Sequence, residues 1–296
     1  MIYTRGTAGP PPDPRPVLVI GCGYLGSRVA AAWRAAGRRV FALTRGRTAA
    51  LAALGAEPVT GDVTDAATLS RLPEASTVLY AVGTDRRSGH SMRDVYVGGL
   101  SNVLGVIRPP DRFIYVSSTG VYGQTNGLVV DESSATEPAD EAGRVVLEAE
   151  QVLRHRMPHA TVLRFAGIYG PDRLLRRQAL LDGLPIAGDQ EKWLNLVHVG
   201  DGVRAVLAAG YRGEPGGTYI VADGEPVRRR DFYALLAELL GAPPPRFVPP
   251  ADPTAREPDR RVSNRKARTE LGFSPVFPSY REGLPAAVAG REDARP

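Results

Sequence analysis

VLVIGCGYLGSRVAAAW, running from Val17 to Trp33, breaks an apolar run at a glycine-rich turn and restarts with helical spacing. A strand, a G-x-G-x-x-G turn and a helix in that order form a dinucleotide cradle. Gly21 ends the strand in a tight turn, Gly23 lets the backbone approach a pyrophosphate with no Cβ in the way, and Gly26 lets the new helix pack closely on the strand. The helix N-terminus then faces the phosphates with free N–H groups and a partial positive charge. Tyr24 and Leu25, within the turn, join the glycines as cofactor-binding candidates. In a chain with 33 glycines the pattern alone is weak. Its place between a β-rich run and an Ala-rich amphipathic run makes it specific. The alternative is a structural strand-turn-helix that holds no ligand.

With 296 residues, 43% of them hydrophobic, the chain can bury the core of a large α/β domain, or of a nucleotide domain with a smaller substrate part. No run approaches the roughly 20 apolar residues that span a bilayer, and MIYTRGTAGPPPDPRP has no apolar stretch resembling a signal peptide, so a cytoplasmic protein with no membrane partner is expected. Cys22 is the only cysteine, which excludes an intramolecular disulfide and a multi-thiolate metal site. Inside the glycine turn it reads as a small packed residue rather than a nucleophile. The net charge of +5 mixes 32 acidic with 37 basic residues and contains no long basic block, which indicates a solvated surface and no nucleic-acid partner.

Residues 1–15 read as a flexible Pro-rich tail. From Pro16 the elements alternate: strand 17–20, helix 24–36, strand 39–43, helix 48–54, strand 57–60, a short helix 65–71 and strand 77–82. Helix 92–107, strand 112–117, helix 141–155 and strand 160–165 follow. Short Val/Ile/Leu-rich strands with helical crossovers predict an α/β fold, a Rossmann-type doubly wound parallel sheet, over 16–166. A smaller C-terminal substrate lobe, partly interleaved with the sheet, is expected over 167–286, and a tail over 287–296. Its elements are a helix near 172–182, an apolar segment at 193–197, a helix at 201–209, a strand at 218–222, a helix at 229–240, a Pro-rich extended loop at 242–258 and a last helix at 264–271.

An NAD-selective Rossmann unit carries an Asp or Glu about 20 residues beyond the glycine turn, on the ribose hydroxyls. Here no acidic residue stands between Ser27 and Ala56, while Arg45 and Arg47 follow the strand RRVFALT where the adenosine ribose would lie. A 2′-phosphate needs fixed donors and positive charge, and a guanidinium fork meets it bidentately. NADP is therefore favoured over NAD, with Thr44, Arg45 and Arg47 as its contacts; a solvated arginine loop is the alternative. Asp62, with Val63, follows the third strand, where its carboxylate accepts from the adenine amino group or caps the next helix. Ala81, Val82 and Gly83, at the end of the fourth strand, complete the cofactor candidates.

The motifs VIGCGYLG (19–26), VTGDV (59–63), FIYVSSTGVYG (113–123), LRFAGIYGP (163–171), LVHVGDGVRAV (196–206), GTYIVADGEPVRRRDFY (217–233) and RVSNRKARTELGF (261–273) resemble those of the extended short-chain dehydrogenase/reductases of the NAD-dependent epimerase/dehydratase type. The resemblance, from Pro16 to about Gly283, implies that fold, a nicotinamide cofactor and a substrate cleft between sheet and C-terminal lobe. It implies that Ser118 hydrogen-bonds the reacting oxygen of the substrate, with Thr119 beside it, and it makes a homodimer through the fourth and fifth helices unsurprising. It also implies a tyrosine and a lysine four residues later, on a long helix, as the proton-transfer pair. The chain departs there. Aligning EAGRVVLEAEQVL (141–153) puts Ala142 and Val146 at those places, and Lys192 and Lys266, the only lysines, have Gly188 and Val262 four residues before them.

Tyr96 stands where the family carries an asparagine on a kinked fourth helix, and is the candidate for proton transfer or a packed aromatic. Tyr122 and Tyr169 border the expected substrate site, with packing as the alternative for Tyr122. His90 and His198 read as a loop histidine and a structural one, Asp131 and Glu132 as cleft neighbours or caps, and Arg164 as structural glue. Arg173, Arg176 and Arg177 bind an anionic group or form a solvated basic face, while Trp193 and Asn195 are pocket candidates. No metal site is expected from so few, widely separated histidines. These readings favour an NADP-dependent oxidoreductase, epimerase or dehydratase with a non-standard site, acting on a polar small molecule such as a nucleotide sugar. A non-catalytic NADP(H)-sensing regulator is the rival.

Overall fold

The computed structural model describes residues 15–84, 88–250 and 257–293. Seven strands form one sheet: β1 Val17–Ile20, β2 Val40–Thr44, β3 Glu57–Thr60, β4 Thr77–Tyr80, β5 Arg112–Ser118, β6 Thr161–Phe165 and β7 Thr218–Val221. Their order across the sheet is β7-β6-β5-β4-β1-β2-β3, and every neighbouring pair is parallel. The helices are α1 Gly26–Ala35, α2 Thr48–Ala53, α3 Gly99–Val106, α4 Glu141–Arg156, α5 Arg177–Leu181, α6 Val199–Arg212, α7 Arg229–Leu240, α8 Arg265–Glu270 and α9 Tyr280–Val288.

Val17 and Val19 of β1 pack with Val29, Ala30 and Trp33 of α1 and with Val206 and Ala209 of α6. Leu18 and Ile20 pack on the opposite face with Leu100 and Val103 of α3 and with Ala149 and Leu153 of α4. Both faces of the central strand are covered, so its sequence is uniformly apolar rather than alternating. All four β1 side chains are fully buried, each worth about 1.5–3 kcal/mol relative to exposure. A further core joins α7 and α9 to Tyr169 and Leu196, and supports the C-terminal lobe beside the sheet. The lobe is threaded into the sheet, because β7 comes from the chain beyond 167 and pairs with β6.

Several elements differ from the sequence expectation. The helix expected at 172–182 is confined to α5, because Asp172 (φ 63°) and Arg176 (φ 56°) adopt left-handed conformations that interrupt it. The helix expected at 92–107 contains a π-helical turn, Asp94–Gly98, before α3. After α8 the structure adds α9, whose Ser279 and Glu282 form a reciprocal capping box and whose Leu284 and Ala287 are buried. Pro285 lies inside α9 and conceals it from a reading in which proline ends helices. The chain after 287 is therefore not simply a tail: Val288 belongs to α9, and the Glu292 carboxylate accepts from Arg28 Nε at 2.6 Å. The tail expected over 1–15 lies, Arg15 excepted, outside the described residues, as do 251–256 of the Pro-rich loop and 294–296.

Candidate nucleotide cleft

Parallel strands present all their C-terminal ends at one edge, and the strand order reverses between β1 and β4, where open α/β sheets hold ligands. A cavity of about 670 Å³ lies there. Gly21, Gly23, Tyr24 and Leu25 line it from the turn after β1, Thr44, Arg45 and Arg47 from the end of β2, Asp62 and Val63 from beyond β3, and Ala81, Val82 and Gly83 from beyond β4. Tyr96 and Ser118 line the same cavity. Gly26 packs beneath it.

The three glycines differ in what a side chain would meet. A Cβ on Gly21, whose φ is +97°, would sit 2.4 Å from the Ala81 carbonyl carbon, and one on Gly26 would sit 2.1 Å from the Gly21 carbonyl oxygen. A Cβ on Gly23 would meet no described protein atom within 4 Å. Internal packing therefore explains the first two glycines and leaves Gly23 open toward the cleft. The open face beside main-chain amides at the start of α1 fits the diphosphate of a dinucleotide.

After β2 the Thr44 hydroxyl accepts from the amides of Gly46 (3.3 Å) and Arg47 (2.9 Å), which folds the arginine loop back over the cleft. Arg47 Nη1 donates to the Cys22 carbonyl at 2.9 Å, and Arg45 Nη1 lies 3.9 Å from Asp62 Oδ2. Burial opposes ionisation of Asp62, but the amide and hydroxyl of Thr64 and the charge of Arg45 outweigh it, so the carboxyl stays below its ordinary range. Burial pushes the Cys22 thiol up to about 12 against the pull of Arg47, so a neutral thiol occupies the turn at physiological pH.

At the other end of the cavity Tyr96 projects from the π-helical turn, a feature frequent at functional sites. Burial raises its phenol above the ordinary value, while the Thr84 amide and the Arg173 guanidinium pull the other way. Ser118 Oγ accepts from the Gly120 amide at 3.0 Å. Val146 of α4 lines the cavity too, so the aligned lysine place brings no charge. Beneath this end the Ser117 hydroxyl donates to Glu150, whose carboxylate also pairs with Arg164.

Thr119, Tyr122 and Tyr169, expected at the substrate, are not brought to the cleft; all three are buried. Tyr122 points into the core, where its hydroxyl accepts from Arg164 Nη1 at 2.7 Å. Tyr169 packs edge-on against His198 and Phe232 in the lobe core. The Thr119 carbonyl accepts from buried Arg260. Asp131 closes a local turn with Ser133 and Ser134, and the Glu132 carboxylate accepts from the Ile220 amide at 2.7 Å. Asn195 bridges the Arg260 carbonyl and the Val262 amide, and Trp193 lies under the guanidinium of Arg228. His90 lines the cleft 3.3 Å from the Thr64 hydroxyl. Sequence reasoning missed Ser117 and Ile168, which line the cavity, and Glu150, which supports it. The adjacent serines of SSTGVYG were the available signal for Ser117.

The fold and cleft define a doubly wound nucleotide-binding protein with a C-terminal lobe. The chain belongs to the NAD dependent epimerase/dehydratase family, whose match spans residues 17–222. It is 29% identical over 275 residues to Protein YeeZ of Escherichia coli, covering 88% of this chain and 96% of that protein. It is 32% identical over 241 residues to a 4-hydroxy-2-methyl-3-oxo-4-farnesyl-3,4-dihydroquinoline-1-oxide ketoreductase of Stigmatella aurantiaca, covering 75% of this chain and 72% of the other. The solved structure of a functionally unknown conserved protein from Silicibacter pomeroyi superposes with a TM-score of 0.75 at 30% identity, covering 94% of this chain and 99% of that one. Among the described residues no helix is long and apolar enough to cross a membrane.

Proposed function

We propose that the protein is an NADP(H)-dependent oxidoreductase that moves hydride to or from a carbon bearing oxygen on a polar small molecule, the class to which nucleotide sugars belong. The observation that carries this reading is the presence of two hydroxyls, Ser118 and Tyr96, in the cavity onto which Gly23 opens. Thr44, Arg45 and Arg47 after β2 suit a 2′-phosphate, and no carboxylate follows β2 to take the free ribose hydroxyls of NAD.

The nicotinamide, when bound, supplies or accepts the hydride. Ser118 Oγ already accepts from the Gly120 amide, so its own O–H is the group that donates to a substrate oxygen. Burial keeps the Tyr96 phenol protonated at neutral pH, which suits a general acid in the reducing direction. As the carbonyl carbon gains hydride, its oxygen takes the phenolic proton and becomes a hydroxyl. The Thr84 amide and the charge of Arg173 favour the phenolate left behind. The similarity to a ketoreductase supports the carbonyl assignment.

Val146 favours a second reading, a protein that senses NADP(H) without chemistry, because the place aligned with the family's lysine carries an uncharged side chain. Mixing the protein with NADPH and a panel of polar carbonyl compounds and nucleotide sugars, while following nicotinamide absorbance, separates the two. Consumption of NADPH with at least one compound supports the enzyme. Tight NADPH binding without turnover across the panel supports the sensor.

A further inference from the structure

Two guanidinium groups flank the ring of Tyr24 in the glycine turn. Arg28 lies 4.1 Å from the ring centroid, and Arg173 lies 5.3 Å from it. Their circumstances differ. Arg28 is neutralised by Glu292 at 2.6 Å, is held by the Tyr24 carbonyl at 2.9 Å, and does not line the cleft. Arg173 lines the cleft, and among the described residues no carboxylate forms an ion pair with it.

The backbone fixes that position. Gly170 and Arg173 exchange main-chain hydrogen bonds of 3.3 and 3.0 Å, and the Tyr24 hydroxyl donates to the Pro171 carbonyl at 2.7 Å. The turn that begins the C-terminal lobe is thereby latched to the glycine turn that begins α1. The left-handed residues Asp172 and Arg176 break the helix that would have put Arg173 and Arg176 on one face. Arg176 instead lines a separate cavity with Lys192, Arg229 and Tyr233.

Charge then decides what Arg173 meets. A dinucleotide diphosphate carries two negative charges, whereas the glycine turn offers neutral amides and about half a positive charge from the α1 dipole. Arg45 and Arg47 follow β2, Arg45 beside Asp62 and Arg47 with a donor committed to the Cys22 carbonyl of the glycine turn. Among the described residues Arg173 is the remaining arginine of the cleft, and it stands over the ring of Tyr24, two residues before α1 begins.

We infer that Arg173 pairs with the diphosphate of the bound dinucleotide, closing over it from the C-terminal lobe while the main-chain amides of the glycine turn hold it from below. This rests on the nucleotide-binding reading above. Cofactor binding and the position of the first turn of the substrate lobe are then coupled through one side chain.

Calorimetric titration of the full-length protein and of Arg173→Ala and Arg173→Lys with NADPH, ADP-ribose and adenosine 2′-monophosphate tests this. Arg173→Ala should weaken NADPH and ADP-ribose by about 10- to 100-fold, the worth of a charge-assisted pair, and leave adenosine 2′-monophosphate, which has no diphosphate, unchanged. Arg173→Lys should recover part of the loss, keeping the charge without the fork. Unaltered NADPH affinity in Arg173→Ala overturns the inference and leaves the nucleotide reading standing. Equal losses on all three ligands also overturn it, because they show a general disturbance of the site. Failure of the unsubstituted protein to bind any of the three overturns both.

Discussion

Glu150 on α4 grips Arg164 on β6 through two parallel hydrogen bonds, Arg164 Nε to Oε1 at 3.0 Å and Nη2 to Oε2 at 2.7 Å, with both side chains buried. The same carboxylate accepts from Ser117, and Arg164 also donates to Tyr122, so one buried pair ties α4, β5 and β6 together under the cleft. Removing one partner of such a pair strands a charge in the core. Glu150→Gln should cost about 3–5 kcal/mol in urea unfolding, and Glu150→Gln combined with Arg164→Met should recover much of it. A loss below about 1 kcal/mol for the single variant, the level of an exposed ion pair, would contradict this role.

His198 is fully buried, and its Nδ1 accepts from the Gly200 amide at 3.2 Å. Burial, with smaller contributions from Arg204 and Arg28, drops its pKa from 6.5 to about 4. The unfolded chain therefore binds the extra proton first, and the stabilisation present above pH 6.5 is lost as pH falls toward 4. Lowering pH from 7.5 to 5 should cost about 2 kcal/mol through this group. Asp201 and Asp223, raised by burial, act in the opposite direction, so comparison with His198→Asn isolates the histidine. An identical pH slope in that variant would remove His198 from the account.

Arg45 should discriminate between the two nicotinamide coenzymes. Arg45→Ala is expected to weaken NADPH by about 10- to 100-fold in equilibrium titration and to leave NADH nearly unaffected. Equal losses for both would show that Arg45 shapes the loop rather than reading a phosphate.

Ser118 and Tyr96 should separate chemistry from binding. In single-turnover reduction, Tyr96→Phe should slow hydride transfer by about 100-fold or more, and Ser118→Ala should slow it also, each with NADPH affinity retained. Unchanged turnover in Tyr96→Phe would take the phenol out of the mechanism.

The strands, their parallel arrangement and the glycine turn were legible because they rest on local rules: apolar runs buried on both faces, and glycines at fixed offsets. Proximity in sequence to cleft motifs points Tyr122, Tyr169 and Thr119 to the substrate, but the two tyrosines turn to partners far along the chain and Thr119 is buried, and only the folded structure decides which side of a turn faces inward. Arg173 and Arg176 look like neighbours at helical spacing; left-handed backbone at Asp172 and Arg176, which composition does not announce, sends them to different cavities. Helix α9 was hidden by Pro285, although Ser279 and Glu282 carried its capping signal.

A dinucleotide lying over Gly23 can be tested at that residue directly, because a Cβ there would meet no described protein atom within 4 Å. Calorimetric titration of Gly23→Val with NADPH, alongside the unsubstituted protein and with thermal unfolding to confirm that the variant folds, should show abolished binding by the folded variant. Uptake of neither NADPH nor NADH by the unsubstituted protein, or NADPH binding by Gly23→Val at full affinity, would contradict the account.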